Sequence, residues 1–292
     1  MKENRIFQTI THMVLAVLSM MALFPFLLLV SASLTDEKAI LEHGYSLIPV
    51  EFSLDAYRYL FDQAETITRA YGITVLVSLV GTFLGVLIST LLAYPLSRST
   101  LPFRNAFAFF VFFTLLFNGG LVSYYLVYTE LLNLKDTIWA LLLPNLLTNG
   151  FFILIMKSFF SVSIPPEVVE SAYVDGAGEW KIYYKMVLPL SLPSLATIGL
   201  MLLISYWNDW YNGLIFINDG KLFSIQNLLN RMLADVQYLQ QNNLSGAAVS
   251  TSLPIGSVRM AIAVIGILPL VLTYPFFQKF FVKGLTIGAV KG

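Results

Sequence analysis

The sequence predicts an all-α integral membrane fold with six transmembrane helices. Its 292 residues have a mean hydropathy of +0.76, with 57% hydrophobic and only 12% charged residues, which is typical of a chain that crosses a bilayer several times. Six windows carry no charged residue and reach the length of about 20 residues that a bilayer requires. Because backbone polar groups must be satisfied locally in lipid, we predict that these windows are helices. They are His12–Ser33, Gly72–Ser97, Asn105–Thr129, Thr137–Met156, Leu188–Asn208 and Met260–Gln278.

The distribution of lysine and arginine predicts the orientation. Short cytoplasmic loops are enriched in these residues. If the spans alternate, one side of the membrane receives both chain ends, the loop at 98–104 and the segment 157–187, all with lysine or arginine. The other side has fewer basic residues in longer loops, and its first loop is rich in acids. We therefore expect both termini to be cytoplasmic. The first window is interpreted as a retained span, because no small-residue cleavage site follows it.

Composition and spacing disfavour several classes of function. Cysteine is absent, which excludes disulfides and thiolate metal sites, and the formal net charge of zero gives no electrostatic case for nucleic-acid binding. The only two histidines, His12 and His43, are far apart, and no HExxH or paired-carboxylate motif indicates a membrane enzyme. We expect no catalytic residue and no metal site. The six windows hold no acidic residue, which ion-coupled secondary transporters usually require.

The polar stretch ESAYVDGAGEWKIYYKMVLP, at Glu170–Pro189, interrupts this apolar pattern. The first predicted helix begins after Pro165-Pro166, and Glu167 and Glu170 lie in its first turns. Proline is favoured at the start of a helix, and negative charge there is favoured by the helix dipole. Asp175-Gly176 predicts its end, with glycine in the left-handed region, and a second helix follows over Glu179–Val187. Physical chemistry leaves two interpretations open. The stretch is either an interfacial helix that links two spans, or a surface whose small residues admit another protein's backbone.

The spacing in this stretch resembles the EAA loop of ABC importer permeases. That pattern is Glu-Ala-Ala, three residues, Gly, nine residues, Ile, one residue and Leu-Pro; here Ser171 replaces the first alanine and Met186 replaces the isoleucine. SYWNDWYN at 205–212 and YPFFQKFFVKGLTIGAVKG at 274–292 are similar to the carbohydrate-uptake branch. More narrowly, the chain resembles maltose-permease-G-like subunits associated with polysaccharide uptake. The resemblance covers nearly the whole chain.

This resemblance implies a single transmembrane domain over residues 1–292 in the plasma membrane of a bacterium. It also implies that the cytoplasmic loop between spans 4 and 5 is a coupling helix that docks on an ATP-hydrolysing subunit. The implied partners are two such subunits, a second homologous permease subunit, an extracellular sugar-binding protein, the lipid bilayer and an oligosaccharide substrate. The chain has no GxxxxGK[ST] phosphate loop, so we expect no cofactor on it, with ATP and Mg on the ATPase subunits. The matching coupling residues are Glu170, Ser171, Ala172, Asp175, Gly176 and Ala177.

A substrate pathway is predicted from residues that combine aromatic rings with amides and a carboxylate. Such groups stack on sugars and hydrogen-bond to them, but Trp and Tyr are also enriched in interfacial belts. Asparagines near spans 3 and 4 either line the pathway or join helices to one another. The candidates are Tyr206, Trp207, Asn208, Asp209, Trp210, Asn118, Asn145 and Asn149.

Three alternatives compete with an oligosaccharide permease. An ABC permease for another solute would share the coupling loop, and the WNDW segment and the VKG tail argue against it. A secondary transporter would need acidic residues within its spans. A membrane enzyme would need a polar constellation at an interface, and neither feature is present in the sequence.

Overall fold

The computed structural model of the chain describes residues 5–146, 149–243 and 255–289. Within these ranges the backbone is nearly all helical, and the β-structure consists of an isolated bridge between Thr35 and Phe52. Short π-helical turns lie at Val127–Leu131 and Tyr183–Val187. The α-helices are α1 (Arg5–Ser33), α2 (Glu37–His43), α3 (Asp55–Phe61), α4 (Ala64–Ser97), α5 (Arg104–Leu116), α6 (Gly120–Leu126), α7 (Trp139–Leu146), α8 (Gly150–Ser163), α9 (Pro166–Val174), α10 (Glu179–Ile182), α11 (Leu188–Leu190), α12 (Leu192–Trp207), α13 (Tyr211–Phe216), α14 (Ile225–Asn243) and α15 (Ile255–Ala289).

Helix length and composition allow between three and six membrane spans in the described residues. Three single helices are long and apolar enough to cross a bilayer, namely Phe7–Ser33, Ala64–Ser97 and Gly256–Thr273. Three helix pairs pass the same test together but are bent by 111°, 75° and 79°. The prediction of a helical membrane protein is therefore confirmed at this level.

The third predicted window is not one continuous helix. α5 ends at Leu116, and the chain resumes as α6 after a bend of 111°. The side chain of Asn118 accepts a hydrogen bond from the Gly120 N–H at 2.8 Å, and Gly120 has a φ of +80°. Glycine adopts this left-handed conformation without steric cost. The prediction of a single helix over Asn105–Thr129 is wrong, because an Asn-Gly-Gly turn interrupts an otherwise apolar sequence.

The limits of the fourth and fifth windows also differ from the prediction. α8 runs to Ser163, so the first part of the segment predicted as a loop from residue 157 is helical. At the other end of that segment, a bend of 79° separates Glu179–Leu190 from Leu192–Phe216. α12 thus begins four residues after the predicted start at Leu188, and its second residue is Pro193. Proline is favoured in the first helical turn because it has no N–H to satisfy.

The chain divides into two compact units. Unit 1 comprises Met1–Ile67 and Leu229–Pro269. In it, the carboxylate of Glu37 accepts backbone hydrogen bonds from Gly256 at 2.8 Å and from Ser257 at 3.0 Å. These donors lie in the first turn of α15, where the helix dipole also favours a negative charge. Glu37 therefore joins α2 to the start of the last helix.

Unit 2 comprises Thr68–Leu228 and Leu270–Gly292 and contains both candidate sites. Its apolar core includes side chains from α8, α9, α10 and α12 that are at most 2% exposed. The buried side of α9 belongs to this core, which holds the helix against the rest of unit 2. The largest of these core side chains are Met156, Phe160, Val169, Ile182, Ile198, Leu202 and Tyr206.

Candidate functional site

The polar stretch after α8 forms two helices joined by a tight turn. α9 ends in a Schellman motif, in which Gly176 has a φ of +74°. The Gly176 N–H donates to the Tyr173 carbonyl at 2.9 Å, and the Ala177 N–H donates to the Ala172 carbonyl at 2.9 Å. The predicted helix, glycine cap and second helix are therefore confirmed as local structure.

Four of the six residues matched to the coupling motif are exposed, and the other two pack against the core of unit 2. Ala172 is 7% exposed and belongs to the apolar core. Ala177 is half-buried against that core. The Ser171 hydroxyl donates to the Val168 carbonyl at 3.0 Å, so it is turned back on its own helix. The exposed members are Glu170, Ser171, Asp175 and Gly176.

A shallow groove of about 240 Å³ lies beside this face. It brings together four of the six motif residues with two lysines that the sequence reasoning did not include among the site residues. The lysines place positive charge beside the small residues of the turn. The lining residues are Ser171, Ala172, Asp175, Ala177, Lys181, Lys185 and Met186.

Exposed apolar side chains surround the turn. Val174 is 89% exposed and Trp180 is 70% exposed, although both belong to a polar segment of the chain. These side chains leave apolar surface next to a groove with charged walls, which a partner protein or the membrane interface can cover.

Glu179 anchors the two helices to the end of α4. One carboxylate oxygen accepts a hydrogen bond from the Tyr94 hydroxyl of α4, and the other accepts one from the Tyr173 hydroxyl of α9. The guanidinium of Arg98 lies 5.9 Å from the centre of the Tyr173 ring. Both hydroxyls donate to the carboxylate, so these hydrogen bonds favour its ionised form.

A second set of contacts joins α4 to the π-helical turn after α10. The hydroxyls of Thr90 and Tyr183 are 2.8 Å apart and hydrogen-bonded, and this pair is buried. The rings of Tyr94 and Tyr183 are 5.4 Å apart. The sequence reasoning missed this anchor, because its partners are separated by 85 and 93 residues and no local pattern relates them.

Two of the predicted pathway residues are packed inside unit 2. Tyr206 is 2% exposed, and its hydroxyl donates to the Leu142 carbonyl at 2.9 Å. Trp207 is 6% exposed, and its ring centre is 6.2 Å from that of Tyr71. Both side chains therefore join helices to one another in this conformation.

Asp209 belongs to a polar network at the end of α12. Its carboxylate accepts hydrogen bonds from the backbone N–H of Asn212 at 3.1 Å and from the Asn212 amide at 2.7 Å. The buried Asn212 in turn accepts one from the Tyr124 hydroxyl at 2.7 Å. Asn212 was not among the predicted residues, although it follows Asp209 by three positions, a common capping distance.

The other pathway candidates near Asp209 are more exposed. Asn208 is exposed, and its amide donates to the carbonyl of Ile204 at 3.1 Å, within its own helix. Trp210 is 43% exposed, with its ring 6.0 Å from that of Tyr211. Of the four consecutive positions from Trp207, the ring of Trp210 offers the largest exposed apolar surface to a ligand.

Two of the three asparagines predicted near spans 3 and 4 shape the local backbone of the described structure. Asn118 holds the Asn-Gly-Gly turn between α5 and α6. Asn149 caps the N-terminus of α8, where its side chain accepts a hydrogen bond from the Phe152 N–H at 3.3 Å. The side chain of Asn145 lies outside the described part of the structure.

The Asp136 side chain connects two loops of unit 2. Its carboxylate accepts hydrogen bonds from the backbone N–H groups of Asn218 and Asp219, the latter at 3.0 Å. These two donors hold the pKa of the Asp136 carboxyl below its usual value. The carboxylate thereby fixes the connection before α7 to the chain segment after α13.

The model of one protein family matches most of the chain. Residues 77–287 match the family described as "Binding-protein-dependent transport system inner membrane component". The chain belongs to this family. Its members are transport components rather than catalysts. In the described residues no group of three or more His, Asp or Glu side chains could hold a metal ion.

Relatives of this family member are similar over their full lengths. The polygalacturonan/rhamnogalacturonan transport system permease protein YtcP of Bacillus subtilis (strain 168) is 38% identical, over 99% of this chain and 100% of that protein. Protein LplC of the same strain is 34% identical, over 100% of this chain and 97% of that protein.

A solved structure is similar in both fold and sequence. It is a crystal structure of a bacterial ABC transporter involved in the import of the acidic polysaccharide alginate. One of its chains matches with a TM-score of 0.79 and 27% identity, over 96% of this chain and 98% of that chain. The family resemblance predicted from the coupling motif is confirmed.

Proposed function

We propose that this chain is a permease subunit of an ATP-driven importer and that α9 and α10 dock on an ATPase subunit. One observation carries the docking proposal: Glu170, Asp175 and Gly176 are exposed on a rigidly capped helix whose opposite side is buried in unit 2. A surface built in this way can receive a partner and transmit its movement. The lysines beside the groove, Lys181 and Lys185, favour an acidic side chain on the partner.

Energy for transport comes from the partners in this proposal. The chain has no phosphate-loop sequence and no expected cofactor. Two ATPase subunits close on ATP with Mg and carry the docked helices with them. This rigid-body movement switches a central cavity between outward and inward access. A second homologous permease subunit completes the pore, and an extracellular sugar-binding protein delivers the substrate.

The proposed topology has six spans with both termini in the cytoplasm of a bacterium. Three spans are the straight helices, and each bent pair supplies one more. In two of these pairs the membrane-crossing parts are α8 up to Lys157 and α12, while α9 and α10 lie at the cytoplasmic surface. Arg98, Lys157 and Lys181 then fall on the cytoplasmic side, in agreement with the enrichment of basic residues there. The extensive exposed apolar surface of α1 and α5 is covered by lipid and by the second permease subunit.

The proposed substrates are oligosaccharides, in particular fragments of acidic polysaccharides. A relative named for polygalacturonan and rhamnogalacturonan transport is 38% identical over nearly the whole chain. A structural neighbour belongs to an importer of alginate, which is also acidic. Two matches that point to the same chemical class support uronic-acid oligomers over neutral sugars.

The docking proposal predicts that the conformation of Gly176 is required for ATPase binding. Replacement by valine should weaken co-purification of the ATPase subunit with the full chain, because a β-branched residue strongly disfavours a φ of +74°. Asparagine tolerates this region better and should retain binding. An added Cβ at Gly176 has no atom within 4 Å, so backbone strain is the difference that is tested.

Charge reversal on the same face provides a second variant. Glu170→Lys should also lose the ATPase, whereas Glu42→Lys, in α2 of unit 1, should retain it. Membrane insertion of every variant is checked by fractionation. The docking proposal fails if Gly176→Val and Glu170→Lys both retain the ATPase at the wild-type level.

The exposed ring of Trp210 is expected to contact the sugar. Trp210→Ala should lower uptake of galacturonate oligomers into proteoliposomes by about tenfold, which corresponds to the stacking energy of about 1–1.5 kcal/mol that the ring supplies. Co-purification of the ATPase should not change. Trp139→Ala removes a ring that is 51% exposed elsewhere in unit 2 and serves as the matched control. Equal uptake by the two variants would remove Trp210 from the pathway.

A further inference from the structure

A cavity of about 270 Å³ lies behind α9, at the ends of α4 and α5. Two arginines, Arg98 and Arg104, line it together with the hydroxyl-bearing Ser97, Ser99 and Ser161. No acidic residue lines it, and the remaining lining side chains are apolar or aromatic. The cavity lining therefore combines two positive charges with several hydrogen-bond donors and acceptors, and the lining itself contains no carboxylate.

Neither arginine has an ion-pair partner among the described residues. The structure shows a carboxylate within 4.0 Å of a basic group for Arg58, but for neither Arg98 nor Arg104. The Nε of Arg98 is buried and has no hydrogen-bond partner in the described part of the chain. Its guanidinium lies over the Tyr173 ring, and its charge helps to lower the pKa of the Glu179 carboxyl, which is already hydrogen-bonded to two tyrosine hydroxyls. A buried N–H that lacks a hydrogen-bond acceptor is costly, and an added acceptor at this Nε would remove that cost.

The geometry points to an anion with several acceptor oxygens. Guanidinium groups match phosphate in a two-pronged arrangement, which makes arginine the preferred residue for phosphate recognition. Arg104 is also the first residue of α5, so the cavity lies beside the positive end of a helix of 13 residues. A phosphate would satisfy the buried Nε and neutralise both arginines.

The cavity lies at the end of a helix that is long and apolar enough to span a membrane. Arg98 immediately follows α4, one of the three straight helices long enough to span a bilayer. Phe103 is 80% exposed and Phe107 is 52% exposed, and these rings flank Arg104 in the sequence. Basic pockets between membrane helices on the cytoplasmic side bind the headgroups of anionic lipids.

We propose that this cavity binds a phosphate group. The phosphate belongs either to the headgroup of an anionic phospholipid or to a soluble phosphate ion. Because the cavity borders Val169 of α9, a bound phosphate would also fix the position of that helix relative to α4. The proposal does not depend on docking of an ATPase.

The test uses the full chain, purified in an uncharged detergent, and follows thermal unfolding. Phosphatidylglycerol should raise the midpoint by a few degrees, because a ligand that binds the folded state stabilises it. Diacylglycerol, which lacks the phosphate, should not. Inorganic phosphate is compared with chloride at the same ionic strength. A shift with phosphatidylglycerol alone assigns the site to a lipid headgroup, and a shift with inorganic phosphate as well assigns it to the phosphate itself.

Variants separate this site from general charge effects. Arg104→Gln changes a half-buried residue without a partner in the described residues, so folding should be retained while most of the shift is lost. Arg98→Gln combined with Arg104→Gln should abolish the shift. Lys157→Gln removes one charge on α8 outside the cavity lining and should keep it. Native mass spectrometry counts retained phosphatidylglycerol on each variant. The proposal is overturned if neither probe shifts the midpoint, or if the double variant keeps the shift and the lipid.

Discussion

Replacing Glu179 with alanine is expected to separate ATP hydrolysis from uptake. The carboxylate accepts hydrogen bonds from Tyr94 on α4 and from Tyr173 on α9, so it connects the proposed docking helix to a long membrane helix. A hydrogen bond to a charged group contributes at most about 1.5–3 kcal/mol, and less where water competes for the acceptor, as it does at the exposed Glu179. Without them, the ATPase subunits can move α9 while α4 stays behind. This expectation depends on the docking function proposed for α9.

The measurement is uptake per ATP hydrolysed in proteoliposomes that contain the complete transporter. Glu179→Ala should lower this ratio by about tenfold or more, since about 1.4 kcal/mol corresponds to a factor of ten. Tyr94→Phe removes one hydrogen bond but can keep the ring contact with Tyr183, so an intermediate loss is expected. Glu179→Gln retains one acceptor oxygen and should recover part of the coupling.

Glu167→Ala is the control for loss of a carboxylate in the same segment. Glu167 is exposed in the first turn of α9, and its side chain has no hydrogen bond within the described residues. The Glu167→Ala transporter should take up as much substrate per ATP hydrolysed as the wild type. If Glu179→Ala shows the same ratio as Glu167→Ala, the anchor plays no part in coupling. If the ATPase itself dissociates from Glu179→Ala, the residue acts in docking instead.

The second large effect is expected at Gly81, where α4 meets α12. A Cβ at this position would lie 2.5–2.8 Å from three ring carbons of Tyr206. The ring cannot move away freely, because it is 2% exposed and its hydroxyl is hydrogen-bonded to Leu142. Overpacking of this kind costs about 1–3 kcal/mol. Gly81→Ala should therefore unfold at a clearly lower temperature than the wild type.

Gly72 offers a matched control in the same helix. A Cβ there meets no atom within 4 Å, and alanine has the better helix propensity, so Gly72→Ala should be neutral or slightly stabilising. Shortening the opposing side chain should restore stability, and Gly81→Ala with Tyr206→Leu should melt above Gly81→Ala alone. Equal melting temperatures for Gly72→Ala and Gly81→Ala would contradict the close approach of the two helices.

The same contact bears on the predicted substrate pathway. Tyr206 was selected because an aromatic residue next to amides suits sugar binding, and in the structure it fills the space that Gly81 leaves. Residue type alone could not distinguish these roles, because a tyrosine is equally suited to stacking on a sugar and to packing between helices. Among the predicted aromatic residues, the exposed ring of Trp210 is therefore the main candidate for contact with the sugar.

Several features of this protein were determined by the sequence itself. Charge-free windows of sufficient length require a helical membrane protein, because lipid offers no hydrogen-bond partner to the backbone. The Asp175-Gly176 turn was also predictable, because a left-handed cap depends on one glycine and its immediate neighbours. The break after α5 has the same local origin, because Asn118-Gly119-Gly120 places a glycine at a φ of +80°, a feature that charge and hydropathy do not reflect.

Only the tertiary structure decided which distant side chains meet. The Tyr94–Glu179 and Thr90–Tyr183 hydrogen bonds and the Gly81–Tyr206 contact join residues on helices far apart in the chain. Hydropathy within one window has no information about which face of another helix lies opposite it, because helix packing depends on the summed shape of both surfaces. The sequence therefore predicted the class of protein and the docking motif. The hydrogen bonds that connect this motif to α4 arise only from the packing of α4 against α9, α10 and α12.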